Sequence, residues 1–468
     1  MPIVTTFASL SKNGFSSVSS DTNNQTNWLS VFDVKANGAL GTVGQVKTIK
    51  DTPYIYGNGA IIPTSRPFYT DLNITSGLAG SYKIFADVNN ASAQSDLNDV
   101  VVDGSNNTHV LFASASSTDV SIAKYDSSGS FVLGKTITGS FGSIGNSVKM
   151  AIDTSNNIYI LSMTGASGVF ITKIDAASYT VSWSKFYDFG GTYSFNSAGG
   201  NAGELLFDSL NNLYLILGTS SSGGANFVVK IASSGTVTWS KVTTYTTDTI
   251  VNKSCLDTND NFYMLLNKSV PSIINILVKL DSSGNTLYEY TLSTTSEFYV
   301  FMEINSVGNL MLVNSTNTTL NPTNMLSIGN INSTPAVAYA TSFTTASDRM
   351  GVNSLACGAQ GTYLGLNFVN NVSVPPSKNT MGVLKLPPNC NLTGTDSWNF
   401  TITTDDLTNY LYNGSITFAA GTSSTLSSST LITLTTPGIT ITSISTSTSN
   451  TTPGSNATVP FTYNAYIV

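Results

Sequence analysis

One unit of roughly 50 residues recurs along the chain and limits what the chain can fold into. Each copy has an apolar stretch, a turn such as Asp-Thr-Ser-Asn-Asn, an aromatic-rich segment and a segment ending in Lys-apolar-Asp. A Ser-Ser-Gly turn and a last segment, often with Trp, complete the copy. The turns of successive copies open at Asp103, Asp153, Asp208, Asp257, Asn305 and near Gly358.

The local chemistry of the unit predicts four short strands in each copy. Asn-Asn and Ser-Gly pairs supply the positive φ that tight hairpins require. Alternation such as that in residues 181–185 places apolar groups on one face of a strand. A single four-stranded sheet cannot bury both of its faces, whereas radial stacking of such sheets buries them. We therefore predict an all-β protein, a β-propeller of seven or eight four-stranded blades with a C-terminal β-rich module.

The recurring positions of the unit are predicted to be structural. Turn formation accounts for the Asp and Gly positions, and core packing accounts for the Trp positions. These structural repeat positions are Asp103, Asp153, Asp208, Asp257, Gly129, Gly235, Gly284, Trp183, Trp239 and Trp398.

The repeat also sets the predicted domain boundaries. The propeller is predicted to span residues 1–398, because residues 28–38 look like the strand-turn half of a further copy. The interval from Asp33 to Asp126 is about twice the repeat, so residues 51–98 are either an insertion or a degenerate blade. Residues 399–468 are rich in Thr and Ser and predict a β-sandwich-like or oligomerisation module.

The repeat resembles a known bacterial family. Residues 153–161 read Asp-Thr-Ser-Asn-Asn-Ile-Tyr-Ile-Leu and are followed by Lys-Ile-Asp and by Trp-Ser-Lys at 183–185. This pattern resembles the bacterial β-propeller repeats of the SBBP type over about residues 100–300, and more weakly over 300–398. The resemblance implies a propeller fold, and it implies no particular activity because propellers host many.

Composition favours a neutral polar surface. Charged residues make up 10% of the chain, against a usual share of about 25%, and Ser, Thr, Asn and Gly take their place. Such a surface suits extracellular, cell-surface and virion proteins; compositional drift in the genome is the alternative explanation. The net charge of −7 and the presence of only two arginines disfavour nucleic acid as a partner.

The chain gives no sign of export, membrane insertion or disulfide bonding. The opening Met-Pro-Ile-Val-Thr lacks the basic and apolar regions of a signal peptide, and no run of 18 apolar residues predicts a membrane span. The cysteines, Cys255, Cys357 and Cys390, form no Cys-x-x-Cys pair, and their odd number argues against a disulfide framework.

Catalytic chemistry that depends on histidine or arginine is disfavoured. The single histidine, His109, lies in a predicted strand, and we expect a structural or exposed residue there rather than a catalytic base. No Gly-x-Ser-x-Gly elbow accompanies it, and one His with three dispersed Cys does not make a zinc site. Sialidases resemble one another in three substrate-binding arginines, and this chain has two arginines in all.

Carboxylate chemistry is also disfavoured. Glycosidases need two carboxylates at a set separation, and Asp405 and Asp406 are candidates by residue type alone. The loop 257–261 offers oxygen ligands for calcium, but it lacks the Gly and terminal Glu of an EF-hand loop. We therefore predict no enzymatic activity, no cofactor and no metal.

The leading functional hypothesis is a non-enzymatic virion structural protein. The low charge, the missing secretion signal and the Thr/Ser-rich tail together resemble structural proteins of tailed bacteriophages, in the tail, a fibre or the capsid. The expected partners are other virion proteins in a homo-oligomer or symmetric assembly, and a host-surface glycan that stacks on loop aromatics such as Tyr193, Tyr245 and Tyr410. The alternatives are a secreted or cell-surface carbohydrate-binding propeller of bacteria and a polysaccharide-degrading enzyme.

Overall fold

The computed structural model describes the repeat region and several short strands on either side of it. The described residues are 28–34, 43–49, 52–61, 64–74, 83–84, 96–113, 120–128, 130–138, 148–163, 168–189, 195, 203–218, 225–244, 249–268, 274–292, 299–314, 323–333, 335–344, 349–369, 379–388, 394–395, 401–404, 411–413, 434–435, 440–443 and 461–467.

Every regular element within these residues is a β-strand. The first strands are β1 (Trp28–Val34), β2 (Val43–Ile49), β3 (Thr52–Ile61), β4 (Thr64–Asp71), β5 (Lys83–Ile84), β6 (Asp96–Val102), β7 (Thr108–Ala113), β8 (Val120–Tyr125), β9 (Phe131–Thr138), β10 (Val148–Ile152), β11 (Asn157–Met163), β12 (Gly168–Asp175) and β13 (Val181–Asp188). The next are β14 (Glu204–Phe207), β15 (Leu213–Gly218), β16 (Ala225–Ile231), β17 (Val237–Thr244), β18 (Thr249–Leu256), β19 (Phe262–Lys268), β20 (Ile274–Leu280), β21 (Thr286–Leu292), β22 (Tyr299–Ile304), β23 (Leu310–Asn314), β24 (Thr323–Gly329) and β25 (Ala336–Thr344). The last are β26 (Arg349–Gly358), β27 (Gly361–Val369), β28 (Asn379–Leu386), β29 (Gly394–Thr395), β30 (Thr401–Thr404), β31 (Leu411–Asn413), β32 (Leu434–Thr435), β33 (Thr440–Ser443) and β34 (Phe461–Ile467).

The strands confirm the predicted all-β propeller architecture. In the described residues they form seven antiparallel sheets, and six of these contain four consecutive strands, β2–β5, β6–β9, β10–β13, β14–β17, β18–β21 and β22–β25. Blades made of consecutive strands therefore number six, one fewer than the lower predicted count. The seventh sheet combines β26, β27 and β28 with β1, which comes from the other end of the chain.

The chain divides into two compact units. One unit contains residues 85–296 and 412–449, and with them the four sheets from β6 to β21. The other contains residues 1–84, 297–411 and 450–468, and with them the sheets β2–β5, β22–β25 and β26–β28 with β1. Strands β3, β4 and β5 of this second unit lie within residues 51–98, the stretch with the irregular repeat spacing.

The core of the unit around residues 85–296 lies between successive sheets. Tyr159 and Leu161 of β11 pack in one cluster with Leu215 of β15, and Tyr214 of β15 packs with Met264 of β19 in the next cluster. These side chains are fully buried or nearly so. Since both faces of a middle strand such as β15 are covered, its sequence Leu-Tyr-Leu-Ile-Leu is apolar without alternation.

In the other unit, side-chain hydrogen bonds link successive sheets. The Val46 amide of β2 donates to Ser354 Oγ of β26 at 2.8 Å, and Thr48 Oγ1 donates to the Cys357 carbonyl at 2.7 Å. The Cys357 amide in turn donates to Glu303 Oε2 of β22 at 2.9 Å. Hydrogen bonds between a side chain and the backbone thus join the first strands of neighbouring sheets.

Short strands of the tail extend the sheets at their last strands. The described antiparallel pairs are β30 with β25, β32 with β13, β33 with β9 and β34 with β1. In the sheet β18–β21, the tail strand β31 is the neighbour of β21. Most of residues 399–468 lies outside the described residues, so the C-terminal module stays a prediction. Within the described residues, no helix has the length and apolar character needed to cross a membrane.

Candidate functional site

The turn between the first and second strands of a blade is organised by one aspartate. In residues 153–157, Asp153 Oδ1 accepts hydrogen bonds from the amides of Ser155 at 2.9 Å and Asn157 at 2.7 Å. The side chain of Asn157 donates to Asp153 Oδ2 at 2.8 Å, and the Asn156 amide donates to the Asp153 carbonyl at 3.0 Å. Short Asx side chains favour such turns because they satisfy nearby amides themselves. We call this five-residue element the acid turn.

The acid turn recurs with the same bonds in residues 103–107, 208–212 and 257–261. The carboxylate of Asp103, Asp208 or Asp257 accepts the amides two and four residues later at 2.7–3.0 Å. The fourth residue of each turn has positive φ, as shown by Asn106, Asn156, Asn211 and Asp260. Asn and Asp tolerate this left-handed conformation better than other residues with a side chain.

A lysine from the third strand approaches the buried carboxylate. Lys230 Nζ lies 2.9 Å from Asp208 Oδ2, while Lys124 and Lys279 lie 3.8 and 3.7 Å from the carboxylates of Asp103 and Asp257. Burial alone would raise the pKa of Asp208, but hydrogen bonds from Asn212 and Lys230 outweigh burial and lower it. Asp208 and Lys230 are therefore a charged pair in the core of the blade.

The residue six places after the aspartate completes the cluster. Tyr263 OH donates to Asp257 Oδ2 at 3.0 Å and Tyr159 OH donates to Asp153 Oδ2 at 3.3 Å. Burial and the nearby carboxylate raise the pKa values of both phenols. Each phenol therefore keeps its proton and acts as a hydrogen-bond donor, not as a base.

His109 occupies the tyrosine position in the copy that begins at Asp103. Its Nε2 lies 3.1 Å from Asp103 Oδ2, its Nδ1 lies 2.7 Å from Tyr179 OH, and its ring is fully buried. Because the carboxylate only accepts, Nε2 carries the proton and Nδ1 accepts from the phenol. Burial lowers the pKa of His109 to about 4, against a raising effect of Asp103. Both ring nitrogens are used inside the protein, which leaves neither for a substrate.

The third-strand lysines also bind the next blade. Lys230 Nζ donates to the Ser282 carbonyl at 3.0 Å and Lys124 Nζ donates to the Ala176 carbonyl at 3.1 Å. Both carbonyls lie in the turn between the third and fourth strands of the following blade. One lysine thus joins the acid turn of its own blade to the second turn of its neighbour.

The recurring tryptophans make the same connection from the fourth strand. Trp183 Nε1 donates to the Ser233 carbonyl and Trp239 Nε1 donates to the Ser282 carbonyl, both at 3.1 Å. Their rings also pack edge-on against Tyr159 and Tyr214 respectively. These tryptophans therefore combine packing within the blade with a hydrogen bond to the next one.

A second connection between blades runs along the acid turns themselves. Asn156 Oδ1 accepts from the Gly104 amide at 2.6 Å, and Asn211 Oδ1 accepts from the Thr154 amide at 3.0 Å. Asp260 accepts from the amide of Ser209 at 2.8 Å. In each case the positive-φ residue of one blade binds the turn of the preceding blade. We call this series the turn ladder.

The two weaker copies alter the cluster in different ways. In the copy that begins at residue 305, Asn305 stands at the aspartate position, Met311 at the tyrosine position and Ser327 at the lysine position. This copy therefore has neither the carboxylate nor the lysine of the charged pair. The Asn309 side chain then donates to Ser327 Oγ at 3.1 Å. In the last copy, Lys385 remains and donates to the Ile74 carbonyl at 2.9 Å, and burial lowers its pKa to about 8.

The structure describes part of the set of residues singled out from the sequence. Gly235 and Gly284 have a φ of +81°, as their turns require, and each lies beside a lysine of the preceding blade. Gly129, Trp398, Asp405, Asp406, Cys390 and the candidate sugar-stacking residues Tyr193, Tyr245 and Tyr410 lie outside the described residues.

The sequence interpretation missed the turn ladder. It treated Asn156, Asn211 and Asp260 as turn formers and assigned them no partner in another blade. The signal available was the recurrence of Asn or Asp at the fourth turn position with a small polar residue or Gly two places earlier in each turn. That recurrence does not reveal which neighbouring turn the side chain faces.

The oxygen atoms of the acid turn at residues 257–261 are occupied by protein donors. Asp257 Oδ1 accepts two amides, and its Oδ2 accepts from Asn261 at 2.8 Å and from Tyr263. A calcium ion needs six to eight oxygen ligands with free lone pairs. Among the described residues, no group of three or more His, Cys, Asp or Glu side chains is placed to hold a metal ion.

No protein-family model and no curated protein matches the chain. Solved structures similar to it include the polysaccharide lyase Uly1, with 11% identity and a TM-score of 0.45 over 78% of this chain and 98% of that chain. A second is the C-terminal WD40 domain of Sif2, with 8% identity and a TM-score of 0.41 over 75% of this chain and 99% of that chain. A third comprises extracellular domains 1–2 of Drosophila Semaphorin 1b, with 7% identity and a TM-score of 0.40 over 75% of this chain and 87% of that chain. Similarity at this level assigns no ligand and no reaction to the chain.

The structural role of the charged pair is testable in the blade that holds Asp208. Asp208→Asn should lower the free energy of unfolding by about 3 kcal/mol, because it leaves Lys230 buried without its counter-charge. The double variant Asp208→Asn/Lys230→Ser reproduces the Asn305 and Ser327 arrangement and should recover part of the loss. Urea denaturation of the three proteins measures both effects, and a double variant less stable than Asp208→Asn would contradict the account.

The buried histidine predicts a specific pH dependence. The pKa of His109 is about 4 in the folded chain and about 6.5 in an unfolded chain, so the unfolded state binds the proton more tightly. The native protein should therefore lose about 3 kcal/mol relative to His109→Gln as pH falls from about 7 to about 3, with no further relative loss below about pH 3. Urea denaturation across this range tests the prediction, and parallel stability profiles for the two proteins would refute it.

Proposed function

We propose that the chain is a non-enzymatic structural protein of a virion, associated with the tail, a fibre or the capsid, which displays a polar propeller for assembly or attachment to a host surface. The observation that carries the proposal is that the recurring polar side chains form hydrogen bonds and ion pairs within the protein. The acid-turn carboxylates, third-strand lysines and strand-four tryptophans all bind the protein's own backbone or one another. These groups support a scaffold, and recognition is left to parts of the chain that do not repeat.

The composition supports an exterior location for such a scaffold. Because charged residues make up 10% of the chain, hydroxyl and amide groups bind most of the water at the surface. Such a surface suits a virion exterior, where contacts between proteins rely on hydrogen bonds between neutral groups. Hydrogen bonds between neutral groups are also less sensitive to salt than ion pairs at a surface. A protein exposed to varied media outside a cell benefits from both properties.

His109 supports the non-enzymatic part of the proposal. It is the single residue of the chain with an unperturbed pKa near neutrality, and it lies buried between Asp103 and Tyr179 with its pKa lowered to about 4. A general base must reach a substrate proton with a free nitrogen. The position of His109 gives it a structural role instead.

Mass spectrometry of purified particles tests the proposal. Cells that carry the gene are lysed with release of particles, the particles are banded on a density gradient, and the intact chain is expected in the particle fraction at a stoichiometry of several copies. Recovery of the chain only from the host cytosol would contradict the proposal.

Two further measurements separate the proposal from its rivals. Glycan-array binding by the purified chain, without particle association, would favour a secreted or cell-surface carbohydrate-binding propeller. Loss of viscosity of a polysaccharide solution on incubation with the chain would favour an enzyme. Either result would overturn the virion assignment or its non-enzymatic part.

A further inference from the structure

The contact between the blades β6–β9 and β10–β13 departs from the repeat at two positions that face each other. His109 stands where the next three copies have a tyrosine, six places after the aspartate of the acid turn. In the turn between the third and fourth strands of the next blade, Tyr179 holds the positive-φ position that Gly235 and Gly284 hold in the later blades. Tyr179 OH donates to His109 Nδ1 at 2.7 Å, so the two departures form one contact.

The turn at residues 175–180, which we call the tyrosine turn, is held closed by its contacts with the preceding blade. Tyr179 has a φ of +55°, a conformation that a bulky side chain keeps only where its surroundings impose it. Its ring is fully buried in the core cluster that also contains Leu111 of β7. Besides the bond from Tyr179 to His109, Lys124 Nζ of β8 donates to the Ala176 carbonyl. The side chain of Tyr179 thus depends on His109 for its hydrogen bond and on the preceding blade for its conformation.

Protonation of His109 removes the acceptor that Tyr179 uses. A neutral imidazole accepts at Nδ1, whereas an imidazolium carries a proton on both nitrogens. The phenol proton and the new Nδ1 proton would then point at each other inside the core. Protonation also places a second cation beside Asp103, because Lys124 Nζ already lies 3.8 Å from Asp103 Oδ2. Since a buried charge is costly unless it is paired and hydrogen-bonded, protonated His109 favours a state in which its ring reaches water.

The groups around this contact titrate in an order that leaves His109 as the first to change. The titratable and charged groups that face it are Asp103, Lys124, Tyr125, Asp175 and Tyr179. Burial raises the pKa of Asp103, but hydrogen bonds from Asn107 and His109 outweigh burial and lower it. Hydrogen bonds from Ser178 lower the pKa of Asp175. Because burial leaves the pKa of His109 at about 4, the histidine gains a proton while both carboxylates are still charged.

We propose that the tyrosine turn is an acid-sensitive contact, in which protonation of His109 releases the Tyr179 side chain and opens the turn while the strands of both blades stay paired. In the open form the His109 ring is exposed to water and binds its proton at an ordinary pKa. The blades that follow lack this response to acid. Their turns have Gly235 and Gly284 in place of Tyr179, and the tyrosines at the His109 position do not titrate in this range.

Residue-resolved hydrogen exchange of the full chain at pH 7 and pH 4 tests the proposal. The reporters are the amides of Asp175 and Tyr179, which donate to the carbonyls of Thr180 and Asp175. Their protection, corrected for the intrinsic exchange rate, should fall by about a hundredfold, because the proton binds the open form with a pKa of about 6.5 and the closed form with a pKa of about 4. The amides of Ala232 and Gly235 in the corresponding turn and those of β11 should keep their protection.

Two variants separate the role of His109 from a general effect of acid. In His109→Gln, the side-chain amide can donate to Asp103 and accept from Tyr179 without a change of charge, so protection of the tyrosine turn should be the same at pH 7 and pH 4. Tyr179→Phe removes the donor to Nδ1, so protection of the Asp175 amide should change less between the two pH values than in the native chain.

Three results would overturn the proposal. The first is constant protection of the tyrosine turn in the native chain between pH 7 and pH 4. The second is an equal fall in the native chain and in His109→Gln. The third is a loss of protection in β11 that accompanies the loss in the tyrosine turn, because the blade as a whole would then unfold in place of the turn alone.

Discussion

The repeated blades depend on the contacts made by the carboxylate of the aspartate that opens each acid turn. Its carboxylate satisfies two turn amides, receives an asparagine side chain and lies beside a third-strand lysine, as in the blade of Asp208 and Lys230. The lysine also donates a hydrogen bond to the Ser282 carbonyl of the next blade. Because buried charges are costly unless paired and hydrogen-bonded, the carboxylate and the lysine each depend on the other. The turn of one blade is therefore coupled to the position of the next.

The sequence was sufficient to predict the all-β propeller because the deciding signals are local. Asp153 to Asn157 specify a turn through bonds within five residues, and the following apolar run specifies a buried strand. The roles of Gly235 and Gly284 follow from the positive φ that their turns need. These features depend on residues close together in the chain, so a single sequence displays them.

Features that depend on distant partners could not be predicted. The sheet β26–β28 is completed by β1, more than 300 residues away, and no local pattern marks that pairing. The use of Asn211 and Asp260 as acceptors for the preceding blade depends on how two turns face each other. In the copy of Asn305, the Asp, Tyr and Lys positions all carry other residues. The structure explains why they change together, because in the other copies these three residues form a charged pair and its hydrogen-bond donor. Side chains that recur in sequence thus acquire their roles through contacts between copies.

The central claim is that the turn ladder ties the blades β10–β13, β14–β17 and β18–β21 each to the preceding blade, and Asn211 tests it most directly. Asn211→Gly keeps the positive φ but removes the acceptor of the Thr154 amide and hydroxyl, so it should lower the free energy of unfolding by about 1–2 kcal/mol in urea denaturation. Asn330 is the control, because it also has positive φ but its side chain makes no such bond to another blade within the part of the chain that the structure describes. Asn330→Gly should leave the free energy of unfolding unchanged or slightly raised. Equal effects of the two substitutions would contradict the account.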